Sequence, residues 1–277
     1  MPRSHLFGPE HEEFRGTVRR FIDKEVRPHV DEWEAAGQFP PDLFRRFGAL
    51  DLLGLKYPEE YGGTHAGVIY EAVLFEELAR CGSGGVAAGI GAHVAIATPP
   101  INDFGTEAQR TRWLAPAIKG EKIVALGVTE PSGGSDIAHV ETTARRDGEA
   151  YVVNGTKMFI TNGVNADLVV VLARSKPEGG HHGLSLLVVE RDTPGYSVGR
   201  KLDKLGWRAS DTAELVFADC RVPVENRLGE ENNGFRLAVG NFQWSGSGSR
   251  SGPWRPPSGV SSWPWSTRPT GCNSARR

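Results

Sequence analysis

The sequence predicts an α+β protein of several domains: an N-terminal all-helical domain, a middle antiparallel β-barrel or sandwich, and the start of a C-terminal helical bundle. Three observations predict it. Apolar residues recur at helical spacing up to about residue 122, alternate with period 2 to about residue 230, and return to helical spacing near Asn233. We therefore place domain boundaries at 1–122, 123–230 and 231–243, followed by a tail of different composition over 244–277.

Four segments of the first domain are predicted helices. Residues 9–36 carry Phe14, Val18, Ile22 and Val26 at helical spacing, with charged residues between them. The next helix is "PPDLFRRFGAL", in which a proline can occupy the first turn, and "GVIYEAVLFEELARCG" follows it. The fourth is "TEAQRTRWLAPAIKG", whose first residue, Thr106, can act as an N-cap.

The middle domain contains five predicted strands. They are β-branched or alternating runs bounded by Gly, Pro, Asn and Asp: "IVALGVTE", "AYVVNGTKMFITNG", "DLVVVLAR", "LSLLVVE" and "TAELVFADCRVP". Asn154-Gly155 is a hairpin signal, because both residues tolerate positive φ. Since no helical pattern separates the runs, we expect the strands to pair antiparallel.

Composition excludes several functional classes. A formal net charge of −2 is not that of a nucleic-acid-binding protein, and no run approaches the roughly 18 apolar residues of a membrane span. The N-terminus lacks the apolar core of a signal peptide, so we expect a cytoplasmic protein. Cys81, Cys220 and Cys272 have no C-x-x-C spacing, which argues against a metal site and favours buried or incidental thiols.

Two runs carry candidate chemistry. In "ALGVTEPSGGSD", a strand ends in a Ser/Gly turn whose backbone N–H groups and hydroxyls, on Ser132 and Ser135, could cradle a phosphate or the polar rim of a cofactor. In "KMFITNG", period 2 places Phe159 and Thr161 on one strand face. A flat heteroaromatic cofactor could stack on that aromatic ring and accept a hydrogen bond from the hydroxyl. Taken alone, the first run is better explained as an ordinary Gly-rich loop and the second as an ordinary strand.

Taken in order, the runs resemble one family. "VTEPSGGSD", "NGTKMFITNG", "KLGWRASDTAELVFADCRVP" and "GEENNGFRLAVGNF", preceded by "HEEFRGTVRRFIDKEVRP", "LGLKYPEEYGG" and "AVLFEELAR", resemble the acyl-CoA dehydrogenases, most closely the long-chain and isovaleryl subgroup, from about Pro9 to Trp244. The resemblance implies an FAD-dependent enzyme that performs α,β-dehydrogenation of an acyl-CoA thioester. It also implies an electron-transfer flavoprotein as acceptor and a homotetramer.

The resemblance also implies site residues. Leu126, Val128 and Thr129 are expected to contact the flavin ring, and Ser135 is expected to contact the pyrophosphate side of FAD and the acyl-CoA. The flavin-flanking residues implied on the second run are Phe159, Ile160 and Thr161, the last of them near the hydride-accepting nitrogen. His139 departs from the family pattern, which prefers a small residue there.

The same resemblance implies that a catalytic carboxylate should follow the "GFR" segment. This chain has Ser245 at that position, and Gly246 where the family has an arginine that contacts substrate or CoA. A serine hydroxyl without a neighbouring base is not basic near neutral pH. We therefore expect no catalytic base, and the chain as written to lack dehydrogenase activity.

The tail supports this expectation. Residues 244–277 contain nine Ser, five Gly, five Pro, five Arg and four Trp, with no Asp or Glu. These residues have G- and C-rich codons, and one G restored after the Trp244 codon permits the apolar helical reading "WERLGLALGAVA". The hypothesis is a slip of the coding frame at that codon. The alternative is a natural disordered tail.

Two alternatives to the enzyme remain: a catalytically inactive flavin-binding fragment, and a relative on the same scaffold such as a flavin oxidase or monooxygenase. Other polar residues are interpreted as structural. His181 and His182 are expected in a surface turn rather than a metal site, and His29 and His93 in structural roles. Asp136, Asp211 and Glu214 are expected to support loops, and Arg145-Arg146 to be a solvated pair.

Overall fold

The first part of the chain is helical, as the sequence predicts. The computed structural model describes residues 7–247, with the side chains of residues 243–247 excepted. Its helices before the sheet are α1 (Pro9–Glu25), α2 (Val30–Ala36), α3 (Asp42–Gly48), α4 (Val68–Leu78), α5 (Gly84–Gly91), α6 (Pro99–Phe104), α7 (Glu107–Gln109) and α8 (Ala115–Ile118). Two π-helical turns, Ala92–Ala97 and Arg110–Leu114, connect α5 to α6 and α7 to α8.

Local sequence explains where these helices begin. Pro9 occupies the first turn of α1, and Val18 and Ile22 form its buried face. Thr106 caps α7 as predicted, since its hydroxyl accepts a hydrogen bond from the Gln109 N–H while the Gln109 side chain accepts one from the Thr106 N–H. The starts of α1 and α7 therefore follow from residues that the sequence marks as favourable for a first turn or an N-cap.

The helical run Gly84–Phe104 was not predicted. Its many glycines and alanines hide the helical spacing, because few of its side chains are large enough to mark a face. By length and composition alone this run could cross a membrane, with a mean hydropathy of 1.2 over its most apolar window. However, 61% of that window is buried inside the protein, as in a core helix. The run therefore passes a test of length and composition, although His93, Thr98, Asn102 and Asp103 interrupt its apolar residues and most of it lies in the core.

A close approach of two backbones fixes the end of α3. A Cβ on Gly120, at φ +70°, would lie 2.1 Å from the Phe44 carbonyl oxygen, and one on Gly48 would lie equally close to the Lys119 carbonyl oxygen. Only glycine allows the turn after α8 to pack this tightly on α3.

Replacing Gly120 with alanine is expected to lower the free energy of unfolding by roughly 2 kcal/mol, from the strained φ and the backbone clash together. Urea denaturation measures this change. Gly148→Ala is the matched control, because Gly148 also has positive φ (61°) but open space around its Cβ position. Equal losses of unfolding free energy in Gly120→Ala and Gly148→Ala would show that the backbone clash at residue 120 contributes nothing.

The second part of the chain forms one eight-stranded sheet. The strands are β1 (Val124–Gly127), β2 (Thr143–Asp147), β3 (Ala150–Thr161), β4 (Leu168–Arg174), β5 (Leu184–Glu190), β6 (Tyr196–Lys201), β7 (Thr212–Pro223) and β8 (Arg227–Leu228). Their order is β6-β7-β3-β2-β4-β5-β8, with β1 paired to β4 outside this path. All five predicted strands are present. The sequence missed β2, β6 and β8, which are short or largely exposed.

The middle domain is mostly antiparallel, as expected, but two of its pairings are parallel. β1 pairs with β4 in parallel, with Val124 opposite Leu168 and Gly127 opposite Val171, and β2 touches β4 in parallel at Thr143. The remaining pairings are antiparallel. Parallel partners are distant in sequence and joined by long connections, so no local turn signal marks them.

β4 is buried on both faces. Leu168, Val170 and Leu172 pack in a core shared with the helices, whereas Val169 and Val171 pack in a second core that the sheet curls around. Burial on both sides explains why this strand is a continuous apolar run rather than an alternating one.

The Asn154-Gly155 hairpin prediction was wrong. β3 runs straight through these residues, and the hairpin between β2 and β3 turns instead at Gly148, whose φ is 61°. Asn154 and Asp219 are joined by two hydrogen bonds across a β-bulge. The Asn154 side chain donates to the Asp219 carboxylate and accepts from the Asp219 N–H. Gly155 is required there because a Cβ would lie 2.6 Å from the Thr142 hydroxyl.

The chain returns to helix at α9 (Gly234–Ser247), near the predicted Asn233. This helix extends four residues past residue 243, where the composition change suggested an end. Leu237 and Ala238 pack in the core shared by the helices and the sheet, and the Asn241 amide donates to the Ile96 carbonyl. Residues 248–277, which hold most of the predicted tail and Cys272, lie outside the described residues. Cys81 and Cys220 are buried thiols, as expected.

Candidate functional site

The site begins where β1 starts, at a buried histidine. His93, in the π-helical turn after α5, accepts a hydrogen bond at Nδ1 from the Val124 N–H (3.1 Å) and donates from Nε2 to the Ala117 carbonyl (3.0 Å). Burial lowers the pKa of His93 to about 4, so the ring is neutral near pH 7. The predicted structural role of His93 is confirmed. This ring holds β1 on the helical domain.

β1 carries the first predicted residues to the edge of the cores. Leu126 is half-buried against the shared core, and Val128 is 6% exposed. Thr129 is half-buried, and its carbonyl accepts a hydrogen bond from the Met158 N–H at 2.8 Å. The end of β1 therefore lies directly beside the second half of β3.

The loop that follows contains the predicted Ser/Gly turn. Ser132, Gly133, Gly134 and Ser135 are all exposed, and a reciprocal pair of backbone hydrogen bonds between Glu130 and Gly133 makes the turn tight. Most of this turn borders a cavity of about 230 Å³. Exposed serine hydroxyls beside a cavity can donate hydrogen bonds to an anionic group.

A buried ion pair lies beneath this loop. The Lys157 ammonium, from β3, is 2.8 Å from the Glu130 carboxylate, and their side chains are 0% and 4% exposed. Burial lowers the pKa of Lys157 to about 8, against the opposing effect of Glu130. Burial also opposes ionisation of Glu130, yet Lys157 and hydrogen bonds from Thr142 and Glu141 hold the pKa of its carboxyl below the usual range. Both groups are therefore charged near pH 7.

β3 presents the other predicted residues through a second bulge. Between Lys157 and Ile160, β3 advances three residues while its partner β7 advances two. Phe159 lies in this bulge at φ +62° and is 65% exposed. A bulky residue rarely adopts this φ, and such strain is concentrated at functional sites. Thr161 is half-buried and lies opposite Thr212.

The two runs share one side of the sheet. Ala125 of β1 and Ile160 of β3 both pack in the core enclosed by the sheet. Since side chains alternate along a strand, Leu126 and Thr161 belong to the opposite face. Ile160 is 3% exposed, so only its backbone could contact a cofactor. The arrangement can hold a flat ring against an exposed aromatic side chain, beside a loop suited to an anion.

The other polar candidates have structural contacts. His181 and His182 lie in the turn Gly180–Gly183, where the His181 ring meets Phe235 edge to face at 4.3 Å. Asp211 supports a loop, as expected, by accepting hydrogen bonds from the Val164 N–H and the Asn165 amide. Among residues 7–242, no group of three or more His, Cys, Asp or Glu side chains could hold a metal ion.

The remaining polar residues match their expected roles only in part. Arg145 and Arg146 are exposed, as expected of a solvated pair. Glu214 pairs with Arg200 across two strands rather than with a loop. Asp136 and His139, 2.7 Å apart, are exposed. Ser245 falls in the last turns of α9, where no side chain is described.

Sequence reasoning missed one feature of the site, the Glu130–Lys157 pair. Its only signal is a lysine that the alternating pattern places on the inward face of a strand. It also missed Trp207, outside the two runs, which has φ +55° and is 65% exposed. A Cβ on Gly84, at the start of α5, would lie 2.5 Å from the Trp207 ring.

Family comparisons agree with this architecture. The family model for the N-terminal domain of acyl-CoA dehydrogenases matches residues 8–121, and the model for the middle domain matches residues 125–220. The chain is 41% identical over 231 residues to a short-chain-specific acyl-CoA dehydrogenase of Clostridium acetobutylicum. That alignment covers 83% of this chain and 60% of the relative.

Solved structures share the fold. A crystal structure of an acyl-CoA dehydrogenase from Geobacillus kaustophilus matches with a TM-score of 0.84 and 45% identity, covering 87% of this chain and 63% of that one. A glutaryl-CoA dehydrogenase from Mycobacterium smegmatis, solved in complex with FADH2, matches with a TM-score of 0.80 and 31% identity, covering 87% of this chain and 60% of that one. The chain thus spans less than two thirds of the length of these relatives.

Proposed function

The chain belongs to the acyl-CoA dehydrogenase family, and on that premise we propose that residues 124–161 form the part of a flavin site that binds FAD for α,β-dehydrogenation of an acyl-CoA thioester. One observation carries the proposal. The Met158 N–H donates to the Thr129 carbonyl, which holds the Ser/Gly loop and the Phe159 bulge side by side. Neither run alone would indicate a flavin, whereas together they offer an aromatic face next to an anion-binding turn.

The described residues fit FAD. We assign the ring of the cofactor to the neighbourhood of Leu126, Val128 and Thr129 on one strand, and to Phe159 and Thr161 on the other. We assign Ser135 to its phosphates and to the acyl-CoA, because this hydroxyl is exposed on the loop. FAD, when bound, supplies a two-electron acceptor for the hydride that leaves the β carbon of the thioester.

The reaction also requires a base. The α proton of a thioester is weakly acidic, so a carboxylate must lie close to it, desolvated and aligned, while hydrogen-bond donors polarise the carbonyl. We propose that Ser245 occupies the position of this base and cannot perform its role, because its hydroxyl is not basic near neutral pH. On this proposal the chain binds FAD and thioester without turning the thioester over.

Two partners follow from family membership as further proposals: an electron-transfer flavoprotein as electron acceptor and a homotetrameric assembly. The cytoplasmic location is also a proposal, and it rests on the lack of a signal-peptide core at the N-terminus. The alternative of a flavin oxidase or monooxygenase remains, since such enzymes share the scaffold. Reduced flavin in an oxidase reacts quickly with oxygen, so the rate of reoxidation in air separates the two readings.

The test uses the purified 277-residue chain. FAD is titrated into the chain and its fluorescence is followed, after which the complex is mixed anaerobically with butyryl-, isovaleryl- or palmitoyl-CoA. We expect saturable quenching of the flavin and no loss of its visible absorbance with any thioester. Absence of saturable binding would overturn the flavin assignment, whereas bleaching by a thioester would overturn the assignment of Ser245.

Phe159 gives a further prediction. Because its φ of +62° is strained for a phenylalanine and its ring is mostly exposed, Phe159→Gly is expected to raise the free energy of unfolding by about 1 kcal/mol. The same variant is expected to weaken FAD binding, since the aromatic face is lost. Urea denaturation and flavin titration measure the two effects.

Phe159→Ala is the matched control for this prediction. It removes the ring but keeps a Cβ at the strained φ, so we expect weaker FAD binding without the gain in stability. Equal FAD affinities for wild type and both variants would show that Phe159 does not contact the flavin.

A further inference from the structure

We propose that Glu130 and Lys157 are a positioning pair that fastens the Ser/Gly loop to β3 and so sets the geometry of both halves of the site. The effect of the pair on flavin rests on the proposed function, whereas its effect on the loop does not. The motifs give neither residue a role, and both side chains are almost completely buried.

Glu130 closes the loop at its base. One carboxylate oxygen accepts a hydrogen bond from the Glu141 N–H at 2.6 Å, and the other accepts one from the Thr142 N–H at 2.9 Å. These donors lie 11 and 12 residues further along the chain, where the loop returns to β2. A single carboxylate therefore joins the outgoing and returning ends of the segment that exposes Ser132 and Ser135. Charge-assisted hydrogen bonds of this kind are short and directional.

Lys157 connects this closed loop to both strands. Its ammonium donates to Glu130 Oε1, the oxygen that also accepts from the Thr142 N–H, at 2.8 Å. It donates a second hydrogen bond to the carbonyl of Val128, just after β1, at 3.2 Å. The aliphatic part of the side chain packs on Gly127, where a Cβ would lie 3.3 Å from Lys157 Cγ. Lys157 is also the last residue of β3 in register before the bulge that carries Phe159. Its side chain is thus fixed on β1 while its backbone starts the bulge.

Stability alone does not explain this pair. A buried ion pair commonly contributes no more than apolar side chains of the same volume would, because both charges must be desolvated. Apolar side chains, however, could not bind the two N–H groups and the carbonyl that converge here. The pair is suited to fixing the relative positions of the loop, β1 and β3.

The exposed pair Asp147–Arg221 provides a matched control. It joins β2 to β7 in the same sheet at 2.8 Å, and its side chains are 48% and 57% exposed. Surface pairs of this kind contribute little to structure. Asp147→Asn and Glu130→Gln therefore remove the same charge by the same chemical change, one at the surface and one beneath the loop.

The experiment measures amide hydrogen exchange over residues 131–141 in the full-length chain without flavin, and then FAD affinity by fluorescence titration. Glu130→Gln is expected to speed exchange in the loop by about tenfold or more and to weaken FAD binding by a similar factor, because a neutral amide cannot accept all three hydrogen bonds. Asp147→Asn is expected to leave both quantities within about twofold of wild type. Lys157→Arg keeps the positive charge, so this variant is expected to retain part of the wild-type protection of the loop amides from exchange.

A double variant and the wild-type flavin titration distinguish the possible outcomes. If Glu130→Gln does not fold, the double variant Glu130→Gln/Lys157→Met removes both charges together and leaves none unpaired, and it should fold with a rapidly exchanging loop. Exchange at the wild-type rate in folded Glu130→Gln or in the double variant would overturn the proposal. If wild type binds no FAD, the flavin assignment fails, while loop exchange still decides the role of the pair.

Discussion

Replacing His93 with leucine is expected to lower the free energy of unfolding by about 2–6 kcal/mol. The ring of His93 is 0% exposed and satisfies the Val124 N–H on one side and the Ala117 carbonyl on the other. Leucine fills a comparable volume but binds neither group. A buried polar backbone group left without a partner costs about 1–3 kcal/mol, and here there are two. Urea denaturation followed by circular dichroism measures the loss.

Two variants make this prediction specific. His93→Gln retains a donor and an acceptor on one side chain, so it is expected to recover part of the stability. His29→Leu is the control for removal of a histidine: this side chain is 45% exposed and stacks on Trp33, and its loss is expected to change stability by no more than about 0.5 kcal/mol. Equal effects at His93 and His29 would show that the two backbone hydrogen bonds are unimportant.

Acidification is expected to remove about 2 kcal/mol of stability between pH 7 and pH 5 through His93 alone. Its pKa in the folded protein is about 4, whereas an unfolded histidine titrates near 6.5, so the unfolded chain takes up the proton first. The contribution is therefore fully present above pH 6.5 and is lost as the pH falls through 6.5 towards 4. Each pKa unit between the two states corresponds to about 1.4 kcal/mol.

The same variants test the pH dependence. Denaturation midpoints of wild type and His93→Gln are compared at pH 7, 6 and 5, because glutamine does not titrate in this range. We expect the difference in denaturation midpoint between wild type and His93→Gln to become smaller at each lower pH. A difference that is constant with pH would contradict a neutral, buried His93 as its source.

The domain order was predictable because periodicity is a local property. β4 and β5 are apolar runs of seven residues, and both were recognised. The parallel pairing of β1 with β4 was not, since Val124 and Leu168 meet only through tertiary structure. β2 and β6 were missed because most of their residues face solvent, so composition does not distinguish them from loops.

The turn signal at Asn154-Gly155 does not correspond to a turn in the structure. Asn154-Gly155 has the residues of a hairpin, but the side chain of Asn154 is used to bind Asp219 across a bulge. The turn is formed instead by Gly148 and Glu149, between the paired residues Asp147 and Ala150. Gly148 supplies the positive φ of this turn, while Asn154-Gly155 lies inside β3, whose pairing with β7 a local signal does not include.

The candidate site was predictable in part. Family resemblance selected both runs, and the structure places Thr129 beside Met158. What sequence could not show is the bulge at Phe159, because a shift of register depends on the partner strand. It also could not show the Glu130–Lys157 pair, since the alternating pattern places Lys157 on the inward face of β3 but does not identify its partner.

The outer strands of the sheet have a consequence for self-association. The apolar strands β4 and β5 lie inside the sheet. The strands with a single partner are β6, which ends in Arg200 and Lys201, β8, which is two residues long, and β1, which is four residues long. Charged or very short outer strands discourage the addition of another chain. Fibril formation should therefore require partial unfolding that uncovers β4 or β5. The rate of fibril formation should depend on how often the sheet opens, and not on protein concentration alone.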